Sequence, residues 1–104
     1  MAVMSVTIVT VKPGRFEDYL AMAKRSEGLL TDCGAKNVRL IVGLAAGEAS
    51  GSMVTTWEAD TFTEYGKVTD AFFEKGGTEI MNENGSADSP IVSWQSSTYV
   101  DVPH

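Results

Sequence analysis

Few side chains in this sequence are placed to do chemistry. Tyr65 lies in "DTFTEYGKV", residues 60–68. A phenol can donate or take up a proton when its pKa is lowered, but no basic neighbour is evident for it. The other reading is a core tyrosine whose hydroxyl bonds the backbone. Tyr19, in the similar stretch "GRFEDYLAM" at residues 14–22, carries the same two readings. Trp57 and Trp94 are either walls of an aromatic-lined pocket or anchors of a protein interface. Arg39 can grip a carboxylate through parallel N–H donors, or form an exposed ion pair at a sheet rim. Glu27, near the apolar stripe of a helix, is a general base if half-buried and an ordinary surface carboxylate if not. Cys33 sits at a helix C-terminus, which does not lower a thiol pKa, so it reads as a small hydrophobe.

Other chemistries are excluded by count. Cys33 is the only cysteine and His104 the only histidine, so neither an intrachain disulfide nor a His/Cys metal site is expected. There is no phosphate-binding glycine loop and no nucleophile elbow. The net charge is −6, and the 8 basic residues are scattered rather than gathered in a stripe. Nucleic acid and anionic membrane surfaces are therefore not expected partners. No apolar run approaches the ~18 residues of a membrane span. The opening "MAVMSVTIVTV" has no basic n-region and alternates like a strand. A cytoplasmic protein is expected. Its 104 residues, 43% hydrophobic, suit a single domain over 1–104.

These residues need a scaffold. Residues 3–11 are rich in β-branched side chains and stop at Lys12-Pro13-Gly14, which predicts a strand. Residues 15–33 place Phe16, Tyr19, Leu20, Ala23 and Leu30 at helical spacing, with Gly34 ending the helix. Residues 37–44 and 52–58 predict two strands joined by the small-residue turn "AAGEASG", as an antiparallel hairpin. Thr61-x-x-Glu64 predicts a capping box at the start of a second helix, with Asp60 competing for the cap. Phe62, Tyr65, Val68, Phe72 and Phe73 form its stripe. Gly76-Gly77 interrupt it, and "TEIMNENG" has room for further helical turns. Residues 91–101 predict a last strand. In both helices the Phe-x-x-Tyr spacing is expected to lay both rings over the sheet.

The order strand, helix, strand, strand, helix, strand is the ferredoxin-like split βαβ pattern. It predicts an α+β fold, a four-stranded antiparallel sheet with two helices on one face. Yet the strands are apolar on both faces: Val9 and Val11 oppose Val6 and Ile8, and Met53 and Trp57 oppose Val54. Leaving such side chains in water forfeits roughly 1.5–3 kcal/mol each. A second copy of the sheet, related by a two-fold axis, is the simplest cover, so a homodimer is expected.

With this order, with "VKPGRFEDYL" leading from strand into helix, and with "TTWEADTFTEY" doing so again, the chain resembles the dimeric α+β barrel superfamily. That group includes antibiotic-biosynthesis monooxygenases, stress-responsive A/B barrel proteins, muconolactone-isomerase-like proteins and NIPSNAP-like proteins. The resemblance implies two ferredoxin-like subunits packed sheet against sheet. Monooxygenase-like members often carry an aromatic at the end of the third strand, matched by Trp57, and a histidine on the second helix, where this chain has Tyr65. Their frequent asparagine near the first strand has no match; Ser5, Thr7 and Thr10 stand there. With no interior histidine, heme ligation is not implied, and no cofactor is expected.

Three functions are expected from these readings. One is a homodimer binding a small apolar or aromatic molecule between sheet and helices, with Trp57, Phe62, Phe72, Arg39 and Trp94 as ligand contacts and Tyr65 beside them. Another is a cofactor-independent monooxygenase or isomerase in which Tyr65 is catalytic. The last is a structural homodimer without a ligand.

Overall fold

The computed structural model describes residues 2–42 and 52–101. Strand β1 (Val3–Val11) leads to helix α1 (Phe16–Asp32), then strands β2 (Lys36–Val42) and β3 (Met53–Ala59). The second crossover holds helices α2 (Phe62–Phe72) and α3 (Thr78–Asn84), and β4 (Ile91–Val100) completes the sheet. The four strands form one antiparallel sheet in the order β2-β3-β1-β4, the expected ferredoxin-like arrangement. The turn expected at 45–51, Leu44 and His104 lie outside the described residues.

Local chemistry explains the boundaries. Gly14 takes φ 77° in the turn after β1, a conformation open to glycine. Helix α1 ends at Gly34, φ 100°, where Ala35 N–H donates to Leu30 O and Gly34 N–H to Thr31 O. This is the Schellman arrangement, which satisfies the last carbonyls. The Thr61 hydroxyl caps α2 by accepting from Glu64 N–H at 3.1 Å. Asp60 does not compete for the cap; it pairs with Lys36.

The second crossover is broken where the sequence carries Gly76-Gly77. Residues Phe73–Gly77 link α2 to α3 through a kink, where Gly76 takes a non-helical φ of 123°. The chain then bends and α3 returns over the sheet.

One expectation fails. Tyr19 is 3% exposed, but Phe16 and Phe62 are 50% and 55% exposed. Each Phe is the first residue of its helix, so it lies at the helix end rather than over the sheet. The inward stripe of α1 instead runs through Tyr19, Ala23 and Leu30.

The core divides in two. Val9, Tyr19, Ala23, Met53 and Ile91 form one buried cluster. Leu30, Ala35, Trp57, Ala59 and Val68 form the other, with Tyr65 and Phe72 packed against it. On the far face of the sheet Met4, Ile41 and Tyr99 remain 37%, 38% and 53% exposed.

Candidate functional site

A cavity of about 300 Å³ lies between the sheet and the helices, and residues of both core clusters line it. Strand register sets its floor. Thr7 stands between Thr55 of β3 and Ser96 of β4, and Ser5 stands between Trp57 and Thr98. Cross-strand partners share a face, so these side chains all point toward the helices. Tyr19, Met22 and Ala23 form the α1 wall. Tyr65, Thr69 and Phe72 form the α2 wall, and Ile80, Met81 and Asn84 of α3 complete the lining.

Tyr65 lies flat on Trp57, with ring centroids 4.7 Å apart and planes 11° apart. Its hydroxyl is 3.0 Å from Thr98 Oγ1 on β4, and either group can donate. The partner is therefore a side chain, not the backbone. Thr7 Oγ1 and Ser96 Oγ are 2.9 Å apart in the same way. Burial pushes the Tyr19 pKa up, partly offset by a hydrogen bond with the Thr55 side chain.

The lining contains Ser, Thr, Tyr, Trp and Asn as its polar residues, and no Asp, Glu, Lys, Arg or His. Nothing in the wall has an ordinary pKa near neutrality. Among the described residues, no group of three or more His, Cys, Asp or Glu is arranged to hold a metal.

Exposure along the lining rises toward β4: Trp57 on β3 is 7% exposed, while Trp94 on β4 is 40% exposed. Phe73 stands at the rim edge-on to Phe72, with centroids 5.5 Å apart.

Of the residues expected to contact a ligand, Trp57, Phe72 and Trp94 line the cavity together with Tyr65. Both tryptophans face the helices, so neither belongs to the far face where a second sheet would pack. Two expected contacts are corrected. Phe62 lies outside the lining, at the exposed start of α2. Arg39 pairs with Thr56 and projects from the opposite face of the sheet, because it alternates with the inward Val38 and Leu40. Glu27 lies in a shallow groove on the outer side of α1 with Lys24 and Asp32. Sequence reasoning missed the hydroxyl floor. Its trace was the spacing Ser5-x-Thr7, echoed by Ser96-x-Thr98.

No family model matches the sequence, and no curated protein matches it significantly. Solved structures do. A DABB family protein with a ferredoxin-like fold from Mesorhizobium loti superposes with a TM-score of 0.71 at 8% identity, over 98% of each chain. The shared fold is ferredoxin-like. An uncharacterized NIPSNAP-like domain protein from Burkholderia xenovorans matches with a TM-score of 0.70 at 8% identity, over 97% of this chain and 85% of its own. A Bordetella bronchiseptica protein named for antibiotic biosynthesis monooxygenases matches with a TM-score of 0.66 at 15% identity, over 98% of each chain. Identities this low speak to the fold alone and leave the chain's activity to its own residues. No described helix is long and apolar enough to cross a membrane.

Proposed function

We propose that this chain is a homodimeric protein that binds one small apolar or aromatic molecule in the cavity between its sheet and helices. The observation that carries this reading is the cavity of about 300 Å³, walled by the Trp57–Tyr65 stack and lined by no charged side chain. Small-molecule pockets begin at about this volume and are mostly apolar with a few placed polar groups. A lining without imidazole or carboxylate favours holding a molecule over moving its protons.

The dimer is supported by the far face of the sheet. Met4, Ile41 and Tyr99 stand there more than a third exposed, with Val6, Ile8 and Val54 half-buried beside them. A second sheet would remove them from water. Sedimentation at micromolar concentration is expected to give a dimer, and Ile8→Lys a folded monomer. A folded wild-type monomer would overturn sheet-on-sheet pairing.

Ligand binding is tested by thermal-shift and native mass spectrometry screening across neutral aromatic and lipid-like compounds. At least one is expected to raise the melting temperature. A screen with no stabilising compound would leave the structural homodimer as the better reading.

Cofactor-independent monooxygenase or isomerase chemistry is the second reading. Its support is the Tyr65 hydroxyl, held at the cavity wall by Thr98. If Tyr65→Phe turned over a substrate as fast as wild type, that role would be gone.

A further inference from the structure

The cavity floor carries a band of hydroxyls, buried at Ser5, half-buried at Thr7 and Thr55, and exposed at Ser96 and Thr98. Among the helix-facing positions of β1, Val3 lies between Ala59 and Val100, and Val9 lies between Met53 and Trp94. Between these apolar rows come two rows rich in hydroxyls, Trp57–Ser5–Thr98 and Thr55–Thr7–Ser96. The polar band therefore crosses three adjacent strands, β3, β1 and β4. At the buried and half-buried positions, Ser5, Thr7 and Thr55, an apolar side chain of similar size would avoid the desolvation cost of a hydroxyl. Placing hydroxyls here, under a cavity, provides something for a ligand to bond.

Their pairing leaves that capacity unspent. When Thr7 and Ser96 bond each other, one donor is used, and a second hydroxyl hydrogen and several lone pairs remain. The same holds for Tyr65 with Thr98. A carbonyl could take the spare donor. A phenol or alcohol could take a donor and give one back. A carboxylate would meet hydroxyls but no cation, in a chain whose net charge is −6. Desolvating an anion without a paired cation is unfavourable.

Resting on the reading of the cavity as a ligand site, we propose that the site selects an uncharged aromatic molecule bearing one hydrogen-bonding oxygen, a phenol or an aryl ketone. The cavity-lining hydroxyls of Ser5, Thr7, Thr55 and Ser96 seat that oxygen and disfavour carboxylates of the same shape. The aromatic body lies against the Trp57–Tyr65 stack and Phe72. Entry is from the β4 side, where Trp94 is 40% exposed. Water reaches this side and screens charge, so the discrimination is modest.

The test uses three probes of one shape: 2-naphthol, 2-naphthoate and 2-methylnaphthalene at pH 7. Each is titrated into the full ¹⁵N-labelled chain, and the indole N–H signals of Trp57 and Trp94 are monitored. The expected result is that 2-naphthol binds about tenfold more tightly than either of the others, the worth of about one hydrogen bond. Thr7→Val is expected to erase the margin of naphthol over methylnaphthalene while leaving methylnaphthalene's affinity unchanged. Ser96→Ala serves the same purpose should Thr7→Val fail to fold. Naphthoate binding as tightly as naphthol, or a margin that survives both variants, would overturn the selectivity while the cavity reading stood. If no probe moved either indole, the cavity reading would fall and the selectivity with it.

Discussion

Tyr19 and Tyr65 hold equivalent places in the opening turns of α1 and α2, each three residues after an exposed Phe. Tyr19 is 3% exposed and belongs to the cluster with Val9, Met53 and Ile91. Tyr65 is half-buried, lies flat on Trp57, and reaches across the floor to Thr98 on β4. The chain beyond each tyrosine differs as well. Helix α1 runs unbroken for 17 residues to its Schellman stop. The second crossover bends at Gly76 and sends α3 back over the cavity. One local pattern thus makes a buried core ring that also closes the α1 wall in the first half, and a half-buried ring stacked on Trp57 in the second. The difference comes from the strand beneath and from the glycines downstream.

The sharpest way to break this contrast is to place one methyl group in each half. A Cβ at Gly77 would lie 2.3 Å and 2.4 Å from the Phe72 ring and 2.7 Å from the Phe72 carbonyl oxygen. Backbone cannot yield as a flexible side-chain tip does, so Gly77→Ala is expected to destabilise by about 2–3 kcal/mol. In thermal unfolding monitored by circular dichroism that lowers Tm by roughly 10–20 °C. At Gly28, inside α1, a Cβ meets nothing within 4 Å. Gly28→Ala is expected to stabilise by about 0.5–1 kcal/mol through helix propensity. Opposite signs are the expected outcome. A shared sign would mean that the break at Gly76-Gly77 is not a packed feature.

Much of the scaffold is readable in the sequence because its causes are local. The Thr61 cap, the Gly34 stop and the alternation that sends Arg39 away from Val38 and Leu40 each depend on a few neighbouring residues. The cavity was less readable because it depends on register. Trp94 is the clearest case. Ile91 faces the helices, so strict alternation would turn Ser93 inward and Trp94 outward. Between Thr10 and Val11 the β1–β4 pairing slips by one residue, so Val11 opposes Ile91 while Thr10 opposes Ser93. That irregularity reverses the parity and brings Trp94 opposite Val9, over the cavity. The hydroxyl floor is hidden for a related reason. Ser5, Thr7, Thr55, Ser96 and Thr98 are far apart in sequence and meet only once three strands are in register.

Removing each tyrosine hydroxyl is a milder probe of the same contrast. Tyr19→Phe deletes a buried hydroxyl and leaves Thr55 without that partner, at an expected cost of about 1–2 kcal/mol. Tyr65→Phe, at the more open wall, is expected to cost about 0.5–1 kcal/mol by the same chemistry. Chemical denaturation separates the two. Alkaline pH separates them further. The folded state holds the Tyr19 proton more tightly than the unfolded chain, whose phenol titrates near 10.0. As pH rises through about 10, the unfolded state releases that proton first and stability falls. Tyr19→Phe is expected to flatten this decline, while Tyr65→Phe keeps Tyr19's share of it. Equal costs and equal alkaline slopes would make the two positions equivalent after all.

The smallest effect is expected where the two halves are tied together. Arg25 of α1 pairs with Glu83 of α3, and their side chains are 52% and 51% exposed. An exposed pair contributes little, so Arg25→Ala is expected to change global stability by no more than about 0.5 kcal/mol, and less in high salt. Its neighbours give it a second readout. Met22 and Ser26 beside Arg25, and Met81 and Asn84 beside Glu83, all line the cavity. Helix α3 is held to the rest of the chain by the glycine link and by few buried side chains, Ile80 among them. Local opening of such a segment needs less energy than global unfolding. Hydrogen exchange in α3 is therefore expected to quicken in Arg25→Ala while exchange in α1 and the sheet stays as in wild type. A global loss above about 1 kcal/mol would instead mark α3 as part of the central core, built into the fold as firmly as α1.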